Sequence, residues 1–495
     1  MPDDLYTEFE NRIRRMSNIS NAAGIVRWDQ EVMMPEGGTP ARSQQLSALS
    51  AVQHELLTED PMDEWLDKLD DASLPDDRQA VVREVRREYE RANRVPTNLV
   101  EKISEVTSEA HPAWKKAKET DSFDEFAPVL EQLVELKREY AEHIDPNRDP
   151  YAVLFEEYEP YLDLKTADTI LTELRDQLVP LIDDIADADT KIADPFTGSY
   201  DSDIQHSVAE DVLDLLGYDW TRGRLDTAPH PFSSGTQFDA RITTRFNEED
   251  PLDSLTSTIH EFGHARYTQG LPQDKYGTPL GESRDLSVHE SQSRFWENHI
   301  GRSKPFWEQL LPILSEHFPQ LAEVPLQEAY EAANKVDPDN LIRVEADELT
   351  YHLHIIIRYE IERDLISGDL SVEDVPAVWN EKYEQYLGVR PESDAEGCLQ
   401  DIHWSHGSFG YFPTYSLGSV LAAQINHAIR SELDVSSLVR AQSFDQITDW
   451  LQETIHQHGC RYRTDELIEH ATGEPLTAEY FCTYAEDKYS QIYNI

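Results

Sequence analysis

The chain has 495 residues, with 97 Asp and Glu against 43 Lys and Arg, and a formal net charge of −54. A surface of that sign repels nucleic acid and anionic membranes, so neither is expected as a partner. Hydrophobic residues make up 39% of the chain and recur periodically, which excludes a disordered acidic protein.

In chain order, Leu5, Phe9, Ile13 and Met16 form one apolar stripe on a charged helix. Similar periodicity predicts helices over 77–110, 123–144, 164–190, 205–216, 304–316, 342–366 and 436–457. The best strand candidate is QFDARITTRF (237–246), rich in β-branched and aromatic residues without internal Gly or Pro. An extended or looped region follows near 273–288. The expected fold is mostly α, with a small β-sheet near the helix described next. No linker, low-complexity run or internal repeat interrupts the chain. It therefore reads as one unit over 1–495, with a helical N-terminal half (about 1–230) walling a groove over a catalytic half (about 231–495).

The acids are spread along the whole chain, and arginines outnumber lysines by more than two to one. This is the pattern of a protein adapted to molar salt, where the Debye length falls to ~3 Å and like charges are screened. Cys398, Cys460 and Cys482 are an odd number without CxxC spacing, so no disulfide framework or thiolate metal site is expected. No apolar leader precedes the first helix and no run is long enough to span a bilayer. A cytoplasmic protein is expected.

The segment that carries chemistry is HEFGHARYTQGLP (260–272). Asp250 is a good N-cap, Pro251 suits the first helical position, and Gly270 and Pro272 stop the helix. HEFGH therefore sits mid-helix. His260 and His264 lie one turn apart and can place two imidazoles on one divalent ion, with Glu261 beside it to take a proton from the attacking water. A catalytic site of this kind needs a third protein ligand. Tyr267 and Gly270 occupy the positions where one known extension of the motif carries Gly and His, so that arrangement is excluded. Glu290, on a second expected helix within LSVHESQSRFWENH (286–299), is the leading candidate. Its 26-residue separation from His264 suits a loop and an antiparallel return. Glu282, Asp285, His289 and Glu297 are rivals on spacing alone.

Six ordered stretches give a further reading: RWDQEVMMP (27–35), FDARITT (238–244), HEFGH (260–264), HESQSR (289–294), IRVEAD (342–347) and GCLQDIHW (397–404). Together they resemble the motifs of the carboxypeptidase Taq family of metallocarboxypeptidases, over nearly the whole chain. The resemblance implies release of single C-terminal amino acids from peptides, with broad specificity except at terminal proline. It also implies a neurolysin-like helical fold with a deep groove, and a homodimer. Carried over position by position, it makes His260, His264 and Glu290 the ligands of one divalent metal, zinc first and cobalt second, and Glu261 the general base.

An exopeptidase must also hold a terminal carboxylate, for which a guanidinium gives bidentate geometry. Arg343 is the first choice, following the family motif, and Arg241 the second. For the developing oxyanion, DIHWSHGSFGYFPTY (401–415) offers His403 and His406, of which His403 is favoured because it lies in a matched motif. Tyr411 and Tyr415 are equal candidates beside it. Asp239, Asp347 and Asp401 are expected to orient these groups. Two other functions compete: a metal-dependent oligoendopeptidase using the same centre, and a non-catalytic, peptide-binding helical protein.

Overall fold

Apolar stripes on charged helices account for most of the architecture. In the computed structural model, which describes residues 2–495, the first stripe lies on a helix spanning Pro2–Val32. Phe9 and Ile13 of that stripe are buried in a small apolar cluster with Met62, Leu66, Val81, Val85 and Leu280. A far larger cluster runs from Val95 to Tyr493 and includes Phe262, Trp296 and Leu417, all fully buried. Side chains of this size each stabilise the fold by roughly 1.5–3 kcal/mol on burial. No described helix is long and apolar enough to cross a membrane.

Helix boundaries depart from the periodic reading where local chemistry intervenes. The 77–110 stretch is two helices, Asp76–Arg94 and Thr97–Thr120, because Pro96 lacks an amide donor and pushes Val95 into an extended conformation. The helix expected from 342 starts at Thr350. Asp347 accepts from the amides of Leu349 and Thr350 (2.9 and 3.1 Å) and from the Thr350 hydroxyl (2.7 Å), which marks the entry. The 436–457 stretch divides into Val435–Arg440 and Phe444–Thr454 around Gln442, whose φ is 55°.

The expected strand is present as β3 (Asp239–Thr244), and two strands that periodicity does not reveal flank it. β1 (Gly223–Thr227) pairs with it in parallel, with Arg224 opposite Arg241. β2 (Ser233–Thr236) pairs antiparallel, with Ser234 opposite Arg241. Ala240, Ile242 and Thr244 alternate onto the buried face. The Thr244 hydroxyl donates to the Ser254 carbonyl (3.2 Å), and the Thr258 hydroxyl donates to it in turn (3.2 Å). The sheet thus braces the helix Pro251–Gly270, which begins as expected with Asp250 accepting from the Leu252 amide at 3.0 Å.

Several histidines are packed into this interior in the neutral form. Burial lowers His299, His352 and His456 to about 3. His352 is paired with the Ser416 hydroxyl and His456 with the Gln292 side chain, each at 2.9 Å. The unfolded chain takes up protons on these rings near 6.5, whereas the folded one does not until far lower pH. Stability is therefore complete above about 6.5 and is lost as pH falls below it, by about 1.4 kcal/mol per pH unit for each ring. Urea midpoints should be level from pH 7.5 to about 6.5 and then fall steadily to about 5. A flat profile would mean that these rings are not held neutral.

Candidate metal centre

The helix Pro251–Gly270 presents His260 and His264 from one face, with ring centroids 4.9 Å apart. The second helix, Leu286–Arg294, and the turn that continues it pack against that helix with contacts in opposite chain order: 260 meets 297, and 264 meets 289. The expected antiparallel return is what is observed. The approach is close because Gly263 lies against the second helix, where a Cβ would fall 2.5 Å from the Gln292 carbonyl oxygen and the Ser293 Cα. Likewise a Cβ on Gly418 would meet the Glu290 side chain at 2.6 Å, so this glycine leaves the room that Glu290 occupies.

Glu290 Oε2 lies 3.6 Å from His260 Nε2 and 3.4 Å from His264 Nε2. The ligand atoms of the three residues lie within 4.8 Å of one another. Each imidazole is oriented by its other nitrogen. His260 Nδ1 is 2.9 Å from Glu297 Oε2, and His264 Nδ1 is 3.1 Å from the His289 carbonyl oxygen. Both partners are acceptors, so each Nδ1 carries the proton and each Nε2 turns a lone pair toward the carboxylate. Three electron-pair donors facing one another repel unless a cation sits among them. The donor set therefore fits a divalent metal, and two nitrogens with one carboxylate suit zinc or a neighbouring first-row ion.

Of the spacing rivals, Glu297 belongs to the centre in another role. Beyond Arg294 the second helix widens into a π-helical turn over Phe295–Gly301, a feature common at functional sites. Glu297 on this turn accepts from Arg294 (3.1 Å) and Arg302 (3.3 Å) as well as facing His260. Burial pushes its carboxyl up, but Arg294 and His260 outweigh it and hold the group well below the usual carboxylate range. Glu290 is treated alike: burial raises it, while Arg294, 2.8 Å from Oε1, and His260 hold it well below its usual value. His289 stacks on His264 at 4.3 Å and offers only its carbonyl. Asp285 is turned to Arg284 and Thr464. Glu282 meets Ser17 at 3.4 Å. None of these three joins the cluster.

Glu261 is buried beside the two imidazoles, and its Oε2 has no hydrogen-bond partner. Burial raises its pKa, opposed by His260 and His264. It lines a cavity of about 900 Å³ together with His260, Arg294, Glu297, Arg343 and Tyr415. Arg343 is buried there, with Nε (3.0 and 3.1 Å) and one terminal nitrogen (2.8 Å) engaged by Asp401. Asp401 also accepts from Arg358 at 2.6 Å, and against burial these two arginines hold it far below the usual range. Only the other terminal nitrogen of Arg343 faces a weak partner, the Tyr351 hydroxyl at 3.4 Å.

His403 and Tyr411 stand side by side with centroids 5.5 Å apart, and Tyr411 meets Tyr415 edge-on at 5.2 Å. Burial lowers His403 to about 4, and its Nδ1 has no partner. Of the two tyrosines, Tyr415 lines the metal cavity. Arg241 is not brought to this cavity. Both its Nε and a terminal nitrogen are bound by Asp239 (2.9 and 2.7 Å), and its guanidinium stacks 4.4 Å over Trp28. The motifs around 28 and 239–241 thus clasp the first helix to the sheet.

Three residues that could hold a metal ion on two packed helices, with a buried free carboxylate at their edge, fit a helical metallohydrolase. The sequence profile of the Carboxypeptidase Taq (M32) metallopeptidase family matches residues 8–489. Carboxypeptidase 1 of Bacillus subtilis (strain 168) is 38% identical over 98% of both chains. Thermostable carboxypeptidase 1 of Thermus thermophilus is 38% identical over 99% of both. The crystal structure of an M32 carboxypeptidase from Deinococcus radiodurans R1 superimposes with a TM-score of 0.96 at 35% identity, covering 99% of this chain and 100% of that one. The chain belongs to the carboxypeptidase Taq (M32) family of metallopeptidases. The sequence expectation of a metal-dependent carboxypeptidase, rather than a non-catalytic helical protein, is met.

Proposed function

We propose that the protein releases single residues from the free C-terminus of peptides with broad side-chain specificity, and that His260, His264 and Glu290 hold one divalent metal, zinc first and cobalt second. The observation that carries this reading is the convergence of three electron-pair donors beside a cavity that also contains a buried free carboxylate and a buried guanidinium. When bound, the metal supplies a Lewis acid for the scissile carbonyl and lowers the pKa of the attacking water. Glu261 takes the proton from that water and passes it to the leaving amine. Its burial strengthens it as a base. His403, neutral and with an unpartnered ring nitrogen, donates to the developing oxyanion, assisted by Tyr415 in preference to Tyr411 because Tyr415 lines the cavity.

Arg343 receives the terminal carboxylate through the nitrogen that Asp401 leaves uncommitted, while Asp401 and Arg358 fix its direction. Arg241 is the weaker choice, since its donors are already satisfied. The chain is further proposed to work as one unit in which residues of about 1–230 wall the groove over about 231–495, as a homodimer in a salt-rich cytoplasm. The even spread of acids supports the last point.

The test is the release of amino acid from an N-blocked peptide in multimolar KCl, with zinc or cobalt, with chelator, and against the C-terminal amide. Metal-dependent release from the free acid alone is expected. Internal cleavage of both peptides would replace this reading with an oligoendopeptidase. In the same assay Arg343→Ala should raise KM for the free acid ~10–100-fold, the loss of one charged hydrogen-bonded contact of about 1.5–3 kcal/mol. An unchanged KM would place the carboxylate elsewhere.

A further inference from the structure

One buried carboxylate has no part in the chemistry above, yet donors from three separate elements converge on it. Glu362 lies on the helix Thr350–Ser367 and is fully buried. Its Oε1 accepts from the Trp404 indole N–H at 2.9 Å. Its Oε2 accepts from the Tyr151 hydroxyl and from the Gly410 amide, each at 3.0 Å. Tyr151 belongs to the short helix Pro150–Phe155, and Trp404 to the turn His403–His406.

A buried charge is costly unless its hydrogen bonds are complete, so this arrangement selects a carboxylate. Burial lifts Glu362 to about 7, opposed by the Gly410, Trp404 and Tyr151 donors and by Arg358 one turn earlier on the same helix. Above neutral pH it is ionised and accepts on both oxygens. A glutamine there would turn its amide NH2 toward the Trp404 indole N–H or the Gly410 amide N–H, neither of which can accept. The two loop donors, 404 and 410, bracket a short segment. His403 and Tyr411 are the residues just outside those two anchor points. Fixing 404 and 410 on one side chain therefore fixes the separation of the His403 and Tyr411 rings, 5.5 Å between centroids.

We propose that Glu362 is a positioning residue for the carboxypeptidase reaction, holding the 404–410 segment so that the His403 ring meets the substrate with Tyr411 packed against it and against Tyr415. This rests on the roles proposed for His403 and the adjoining tyrosines. The test compares Glu362→Gln, His403→Ala and the double variant above neutral pH, each loaded with zinc, on one blocked peptide acid. Metal affinity and thermal midpoint are measured alongside.

In Glu362→Gln, kcat should fall ~10–100-fold with KM within about threefold and metal affinity unchanged. His403→Ala should fall at least as far, and the double variant no further than His403→Ala alone, since both act through one ring. Additive losses would overturn the proposal, and so would a wild-type kcat in Glu362→Gln beside a crippled His403→Ala. The latter result would leave the role of His403 standing. A wild-type His403→Ala would overturn both. If Glu362→Gln does not fold, Tyr151→Phe removes one donor at little cost in volume and should lower kcat about threefold with KM unchanged. An unaltered kcat in that variant counts against the proposal equally.

Discussion

Replacing Glu261 by glutamine is expected to cut turnover by ~10²–10⁴-fold while leaving the metal bound. The substitution keeps the volume of a buried side chain and removes only its ability to take up a proton. Glu261 is not among the three residues whose ligand atoms converge, so metal affinity should not depend on its charge to first order. Proton transfer by a positioned side chain contributes ~10²–10⁴-fold to rate, and kcat should drop by that amount. The loss should appear in kcat and kcat/KM alike, because a base acts in the transition state and not in substrate binding. Zinc content by elemental analysis and steady-state rates on one peptide suffice. Turnover at the wild-type rate would transfer the base role to another group in the cavity.

The part of this site that was legible in the sequence is the part encoded locally. His260 and His264 share a face because they are four residues apart on a helix whose start and stop are both written in the chain, at Asp250 and Gly270–Pro272. Glu290 could be ranked first but not isolated from its neighbours. What separates it from Glu282, Asp285, His289 and Glu297 is which side of the second helix faces the first, and this depends on the close contacts at Gly263 and Gly418. The π-helical turn that brings Glu297 to His260 leaves no periodic signature, so a regular helix through 299 was the natural expectation. The spacing of Glu290, Arg294 and Glu297, at i, i+4 and i+7, places three charges on one face of an ordinary α-helix and gives no sign of the wider turn.

Long-range pairs account for most of what was missed. Arg343 was identified only through its motif, and its clamp by Asp401 joins residues 58 apart in the chain. Arg241 is the second carboxylate candidate by its motif, and in the fold a neighbour two residues away and Trp28 on the first helix engage its charge and its flat face. In the fold, β1 and β2 are four or five residues long and carry no run of apolar alternation. They exist because β3 offers them an edge, a property of the partner strand. Glu362 is equally invisible: one of three acids on its helix, with Glu360 and Asp364, it is set apart only by donors that come from residues 151, 404 and 410.

The second large effect is expected at Glu290. Glu290→Gln exchanges the one anion of the proposed ligand set for a neutral amide, without altering the two imidazoles or the packing at Gly418. The ion then loses its one formal negative partner in a pocket where Arg294 stays 3.1 Å from Glu297 and contributes positive charge. Loss of an outer partner typically costs 10–100-fold in metal affinity, so removal of a direct charged ligand should exceed ~100-fold. Because a metal that binds only the folded state stabilises it by RT ln(1 + [L]/Kd), the consequence is visible without any substrate. At free zinc a hundredfold above the wild-type Kd, the wild-type gain is about 2.7 kcal/mol and the midpoint of thermal unfolding rises. In Glu290→Gln most of that rise should vanish, while the metal-free midpoints of the two proteins stay close. A zinc-induced shift of equal size in both would show that the ion is held without Glu290 and would return the third ligand position to the carboxylates around it, Glu297 first.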